Sequence, residues 1–134
     1  MTKEEKIEYW VNLSDEDLIV AETMLRNRHL LYTCFMCHQV IEKIFKACYA
    51  KLKDQIPPRT HDLPRLAKEA DFYDIFSDKQ KLFLNTMNPF NIEARYPNYK
   101  TCIAKTLTDE RCKQIFEETQ NLQQWIKETI LLEK

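Results

Sequence analysis

Histidines, cysteines and a basic, tyrosine-containing stretch around Arg95 are the groups in this 134-residue chain whose types and spacing admit chemistry. His38 and Glu42 stand four apart, so on a helix they share a face and the carboxylate can orient the imidazole, as a general base requires. The same spacing also serves a purely structural polar pair, because a histidine on an apolar stripe is often held by a buried hydrogen bond. His61, beside Asp62 at the start of a short helix, likewise admits two readings. It is either an anchor that ties loop to helix through the backbone, or a base that approaches Arg95 in a cleft and takes the proton of a ribose 2′-hydroxyl.

Between Arg95 and Lys113 five basic residues (Arg95, Lys100, Lys105, Arg111 and Lys113) face only two acids, Asp109 and Glu110. This is where an anion would dock. Arg95 can grip a phosphate through two parallel hydrogen bonds, Lys100 adds charge, and Tyr96 and Tyr99 offer flat faces to an unstacked base. The alternative is structural: Glu93 and Arg95 hold the loop while the tyrosines pack on the rest of the chain.

The run Cys34-Phe35-Met36-Cys37-His38 has the spacing of a covalent haem attachment site. Its context argues against that use, since attachment takes place in an oxidising compartment and the run lies within a helical pattern. A zinc site would need a fourth ligand at suitable spacing, which Cys102 and Cys112 do not supply. No metal and no cofactor are expected. Five cysteines (Cys34, Cys37, Cys48, Cys102 and Cys112) form an odd set, which does not suit a disulfide framework, and they read as reduced thiols.

Helices must position these groups. Leu18, Ala21, Met24 and Leu25 recur at three- and four-residue spacing in a first helix from Lys3 to Asn27, and Ser14 followed by Asp17 resembles a capping box that would restart or bend it. A second helix, His29 to Lys53, carries Leu31, Phe35, His38, Ile41, Phe45, Cys48 and Leu52 on one stripe and is the candidate central helix, with Lys43, Lys46 and Lys51 as its solvated side. Pro57 and Pro58 place the main loop at Gln55 to Thr60. Thr60, His61 and Asp62 ahead of Pro64 start a short helix of about two turns. Ser77 and Gln80 cap a fourth helix that ends at Asn88 and Pro89. Thr108, Asp109 and Glu110 open a last one through Cys112, Ile115, Phe116, Thr119, Leu122 and Ile126. The expected fold is all-α, an up-and-down bundle of four to five helices forming a single domain over residues 1–134.

Composition agrees and excludes much else. Hydrophobic residues are 44% and charged residues 31%, a balance that supports a packed domain. The chain has no glycine. Phosphate loops and dinucleotide folds need glycine for tight turns and close backbone approach, so sites of those kinds are excluded. A net charge of −1 gives no global attraction to nucleic acid or membrane, so any anion site must be local. Without an apolar run approaching the roughly 18 residues of a membrane span, the expected location is the cytoplasm.

Four segments, in order, carry a family resemblance. SDEDLIVAETML at Ser14 to Leu25 is an acidic first helix, and CHQVIEKIFKACYAKL at Cys37 to Leu52 resembles the helix-two signature of the HEPN family. THDLPRL at Thr60 to Leu66 resembles that family's His-Asp-Leu segment, and IEARYPNY at Ile92 to Tyr99 its Glu-Ala-Arg-Tyr-Pro segment. The resemblance implies a helical bundle that pairs into a homodimer and often works beside a small nucleotidyltransferase of the MNT type, many such pairs being toxin and antitoxin. Many family members are metal-independent ribonucleases using an arginine and a histidine four to six residues apart. Here Arg95 matches the arginine, but no histidine follows among Tyr96 to Thr101, and His29, His38 and His61 do not follow an arginine at that spacing. The reading that follows is a dimeric interaction module that, as the resemblance implies, pairs with such a nucleotidyltransferase and, as the charge and tyrosines of the basic stretch suggest, binds nucleotide or RNA through Arg95, Tyr96, Tyr99 and Lys100. The alternative is a ribonuclease toxin in which Arg95 and a noncontiguous histidine, His61 or His38, would be catalytic.

Overall fold

The computed structural model describes residues 1–93 and 106–132. Local signals in the sequence set most helix starts. Thr2 accepts from the Glu5 amide and Glu5 returns a bond to the Thr2 amide, so a reciprocal cap opens α1, Lys3–Arg26. Asp62 caps α3, Leu63–Glu69, which carries a proline in its first turn. Ser77 and Gln80 form the second reciprocal cap, at α4, Asp78–Met87. Thr108 accepts from the Arg111 amide at the head of α6, Asp109–Ile126, which runs on into a π-helical turn at Lys127–Leu131. Between these lie α2, Leu30–Lys53, a 3₁₀ turn at Tyr73–Ile75, and the short α5, Phe90–Glu93. There is no strand among the described residues, and none of their helices is long and apolar enough to cross a membrane.

The bundle is built on α2. A three-residue turn at Asn27 to His29 folds it back antiparallel along α1. Cys34 meets Cys112, and farther along Lys51 meets Ile130, so α6 runs parallel to α2. Arg28 meets Asp109 while Asp15 meets Gln123, so α6 runs antiparallel to α1. Residues buried on α2 include Val40, Ile41, Ile44, Phe45, Ala47 and Cys48, a surface too broad for a single stripe because helices pack on it from several sides. Phe45, Phe72, Phe76 and Trp125 form an aromatic chain that ties α2 to the 72–76 segment and to α6.

Three sequence expectations are corrected. The first helix does not restart at Ser14 but runs unbroken through it. The Ser14 hydroxyl is fully buried and donates 2.8 Å to the Val40 carbonyl while accepting 2.9 Å from Gln123 Nε2, so it bridges three helices rather than capping one. Lys43, Lys46 and Lys51 do more than solvate α2: they bond Asp17, Glu42 and the Ile130 carbonyl. Leu52, placed on the buried stripe by its spacing, is exposed near the helix end.

A chain without glycine must fill its left-handed positions with residues that carry a Cβ. Arg28, Asp54 and Asp71 occupy them, at φ of 61°, 50° and 64°. Asp54 terminates α2, where glycine is the favoured residue, and its ion pair with Lys6 is long at 3.8 Å and worth little. Asp54→Gly is expected to stabilise the fold by about 0.5 kcal/mol, read as a rise of about 2 °C in Tm by thermal denaturation.

Candidate functional site

One polar cluster is set into the apolar face of α2. The Glu42 side chain is 3% exposed, and both its oxygens are engaged. Oε1 accepts from His61 Nδ1 at 2.7 Å, and Oε2 accepts from Lys46 Nζ at 3.0 Å. His38 Nδ1 lies 3.9 Å from the same Oε1, beyond hydrogen-bond range, and His38 Nε2 donates 2.9 Å to the His61 main-chain carbonyl. The Lys46 ammonium also sits over the Trp10 ring, 5.2 Å from its centroid, bringing α1 into the cluster.

Local chemistry explains each placement. His38, Glu42 and Lys46 follow one another at four-residue spacing and so rise along one side of α2. The capped start of α3 at Asp62, reinforced by Asn88, which bonds both the Leu63 amide and the Asp62 carboxylate, fixes His61 just ahead of the helix. Burial works to raise the Glu42 carboxyl, but the His61 hydrogen bond and the charge and hydrogen bond of Lys46 outweigh it, with His38 adding a smaller push, and hold the group below its ordinary value. The carboxylate is therefore ionised at neutral pH, and His61 must donate to it through Nδ1–H. That tautomer leaves Nε2 of neutral His61 as an acceptor on a ring that is 50% exposed.

Such an arrangement can act in two ways. It fastens the 54–62 loop to α2, since the ring and the main chain of His61 are both bonded there. It also presents a carboxylate-oriented imidazole that can accept a proton at Nε2. The sequence placed His38 beside Glu42, but the ring bonded to Glu42 belongs to His61, 19 residues away. Nothing local signals that pairing. Lys46 was legible as a partner of Glu42 from its i,i+4 spacing, whereas the participation of Trp10 follows from the packing of α1 on α2.

Arg95, Tyr96, Tyr99 and Lys100 lie outside the described residues, as do Lys105 and Cys102. The side chain immediately ahead of that segment on which the structure bears is Asn91. It is buried on α5, with its Oδ1 accepting 3.3 Å from Gln39 Nε2 on α2. Gln39 and Glu42 are three apart and neighbours on the helix surface, so α2 seats both His61 and Asn91 within about one turn. Asp109, one of the two acids in the basic stretch, is held by Arg28 through two bonds, 2.7 Å and 3.2 Å, while Arg111 and Lys113 are exposed. Among the described residues no group of three His, Cys, Asp or Glu side chains is placed to hold a metal ion. The four described cysteines, Cys34, Cys37, Cys48 and Cys112, are buried free thiols.

A search of the curated proteins and of the solved structures returned no match. Residues 7–129 match the model of the HEPN domain. That stretch takes in most of α1, all of α2, the His61 cluster, the Arg95 segment and all of α6, and the chain belongs to the HEPN family.

Proposed function

We propose that residues 1–134 form one HEPN domain acting in the cytoplasm as a homodimeric interaction module, paired with a nucleotidyltransferase of the MNT type and binding nucleotide or RNA through Arg95, Tyr96, Tyr99 and Lys100. The observation that carries this reading is the commitment of the imidazoles. His38 is fully buried beneath the His61 carbonyl, and His61 is bonded to α2 by both its ring and its main chain, as groups that hold a scaffold are. The Arg95 stretch supplies charge and aromatic faces without requiring a histidine. HEPN domains commonly dimerise, and the apolar groove between α1 and α2 lined by Val20, Met24, Tyr32, Phe35 and Met36 supports pairing here.

A second reading, the metal-independent ribonuclease toxin, is favoured by the exposure of His61 and by the seating of Asn91 one turn from Glu42. In that reaction His61 Nε2 would take the 2′-hydroxyl proton, the 2′-oxygen would bond to phosphorus, and the 5′-oxygen would leave with a proton from water. Arg95 would stabilise the charged phosphorane.

The test is incubation of mixed RNA with the protein in EDTA, together with the Arg95→Ala and His61→Ala variants, followed by electrophoresis and a binding assay. The module binds RNA, leaves it intact, and loses roughly tenfold or more in affinity with Arg95→Ala but little with His61→Ala. Cleavage by the wild-type protein that disappears in His61→Ala replaces the module with the nuclease.

A further inference from the structure

Cys34, on the second turn of α2, and Cys112, one turn into α6, bring their sulfurs to 3.8 Å with both residues fully buried. We propose that this pair is an oxidisable dithiol that closes to a disulfide under peroxide, stapling the start of α2 to the start of α6.

Either thiol can donate across the 3.8 Å contact, and Cys112 also donates toward the Leu30 carbonyl at 3.7 Å. Burial acts to raise both thiols, and the charge of Arg111 acts to lower both. Both cysteines lie in the first two turns of a long helix, where the positive end of the dipole favours a thiolate. Whichever thiol is oxidised first, the other sulfur stands 3.8 Å away to resolve it. The remaining described cysteines lack such a partner. Burial pushes Cys37 up to about 12 against the hydroxyl of Thr119, and burial alone likewise raises Cys48.

Access comes from the end of α2. His29 caps that helix without a side-chain hydrogen bond, Arg28 before it sits in the left-handed region, and Leu30, whose carbonyl lies 3.7 Å from Cys112 Sγ, is half-buried. The turn is tied to the head of α6 by the solvent-exposed Arg28–Asp109 ion pair, a surface pair that costs little to break, and a local opening there admits a molecule the size of peroxide. One of the two, as its thiolate, then displaces one peroxide oxygen as water and becomes a sulfenic acid. The other sulfur attacks it, the S–O bond breaks, and a second water leaves: two thiols and one peroxide give one disulfide and two waters.

The full chain, reduced and freed of reductant, is treated with equimolar hydrogen peroxide under native conditions and digested without reduction. The expected product has lost two hydrogens and contains a Cys34–Cys112 linked peptide. Because the bond spans 78 residues, Tm should rise by roughly 10 °C, reverse with dithiothreitol, and stay unchanged on peroxide treatment of Cys112→Ser. Persistence of both thiols, overoxidation of Cys112 without a cross-link, or linkage to Cys37 or Cys102 would each overturn the proposal, and the wild-type peptide map decides this even if the variant fails to fold.

Discussion

Phe45→Ala should remove about 3–5 kcal/mol of stability, lowering Tm by roughly 10–20 °C, the largest effect expected from a single side chain here. Phe45 is fully buried on α2. Its ring meets Phe72 edge-on at 5.2 Å and stacks on Phe76 at 5.7 Å, and Phe76 in turn meets Trp125 of α6 at 5.6 Å. Truncation therefore loses the transfer free energy of the ring, two aromatic contacts, and the packing that carries α6 toward α2. Against a total stability of about 5–15 kcal/mol, that loss is a large fraction of the whole. Urea unfolding followed by far-ultraviolet circular dichroism measures it. A loss below about 1 kcal/mol would mean that neighbouring groups refill the site, and the aromatic chain would then not be the centre of the core.

The second large effect is electrostatic and depends on pH. Glu42→Gln should cost about 2 kcal/mol at neutral pH, because a nearly buried carboxylate bonded to His61 and Lys46 is replaced by a neutral amide that must present one donor among those donors. The cost falls short of that for the most deeply buried pairs, because His61 is half-exposed and can be rehydrated. The sign of the pH dependence follows from the carboxyl being held below its ordinary value of 4.5 in the folded protein. Below that value the unfolded chain takes up the proton first, so the contribution of Glu42 is complete above 4.5 and is lost as pH falls through the lower folded value. The advantage of the wild-type protein over Glu42→Gln should be constant from neutral pH down to about 5 and shrink below it. A difference that stays flat into acid would show that Glu42 contributes by shape rather than by charge.

The His61 cluster also bears on the choice between module and nuclease. A ring that merely anchors a loop and a ring that moves a proton share the same carboxylate, so Glu42→Gln weakens the fold under either reading. The RNA experiment separates them because the proposed cleavage would need the half-exposed His61 ring, while the proposed binding through Arg95 would not.

The sequence by itself determined the main helices, most of their starts and the family, though not the short α5 or the 3₁₀ and π-helical turns. Ser77 with Gln80, Asp62 ahead of Pro64, and Thr108 ahead of Arg111 each cap a helix through bonds spanning three residues, and apolar spacing of three and four marks the buried sides of α2 and α6. These interactions lie within a turn or so of chain, so they can be read without knowing what packs where. The four segments from Ser14 to Tyr99 carried the family in the same way. Only the tertiary structure decided which side chains meet across the bundle: Glu42 with His61 rather than with His38, Ser14 with Val40 and Gln123 rather than with its own helix, and Cys34 with Cys112 across 78 residues. Helical periodicity tells which side of a helix turns inward. The partner it finds there depends on the crossing and register of α1, α2, α3 and α6, which are set by the close packing of Phe45, Phe72, Phe76 and their neighbours.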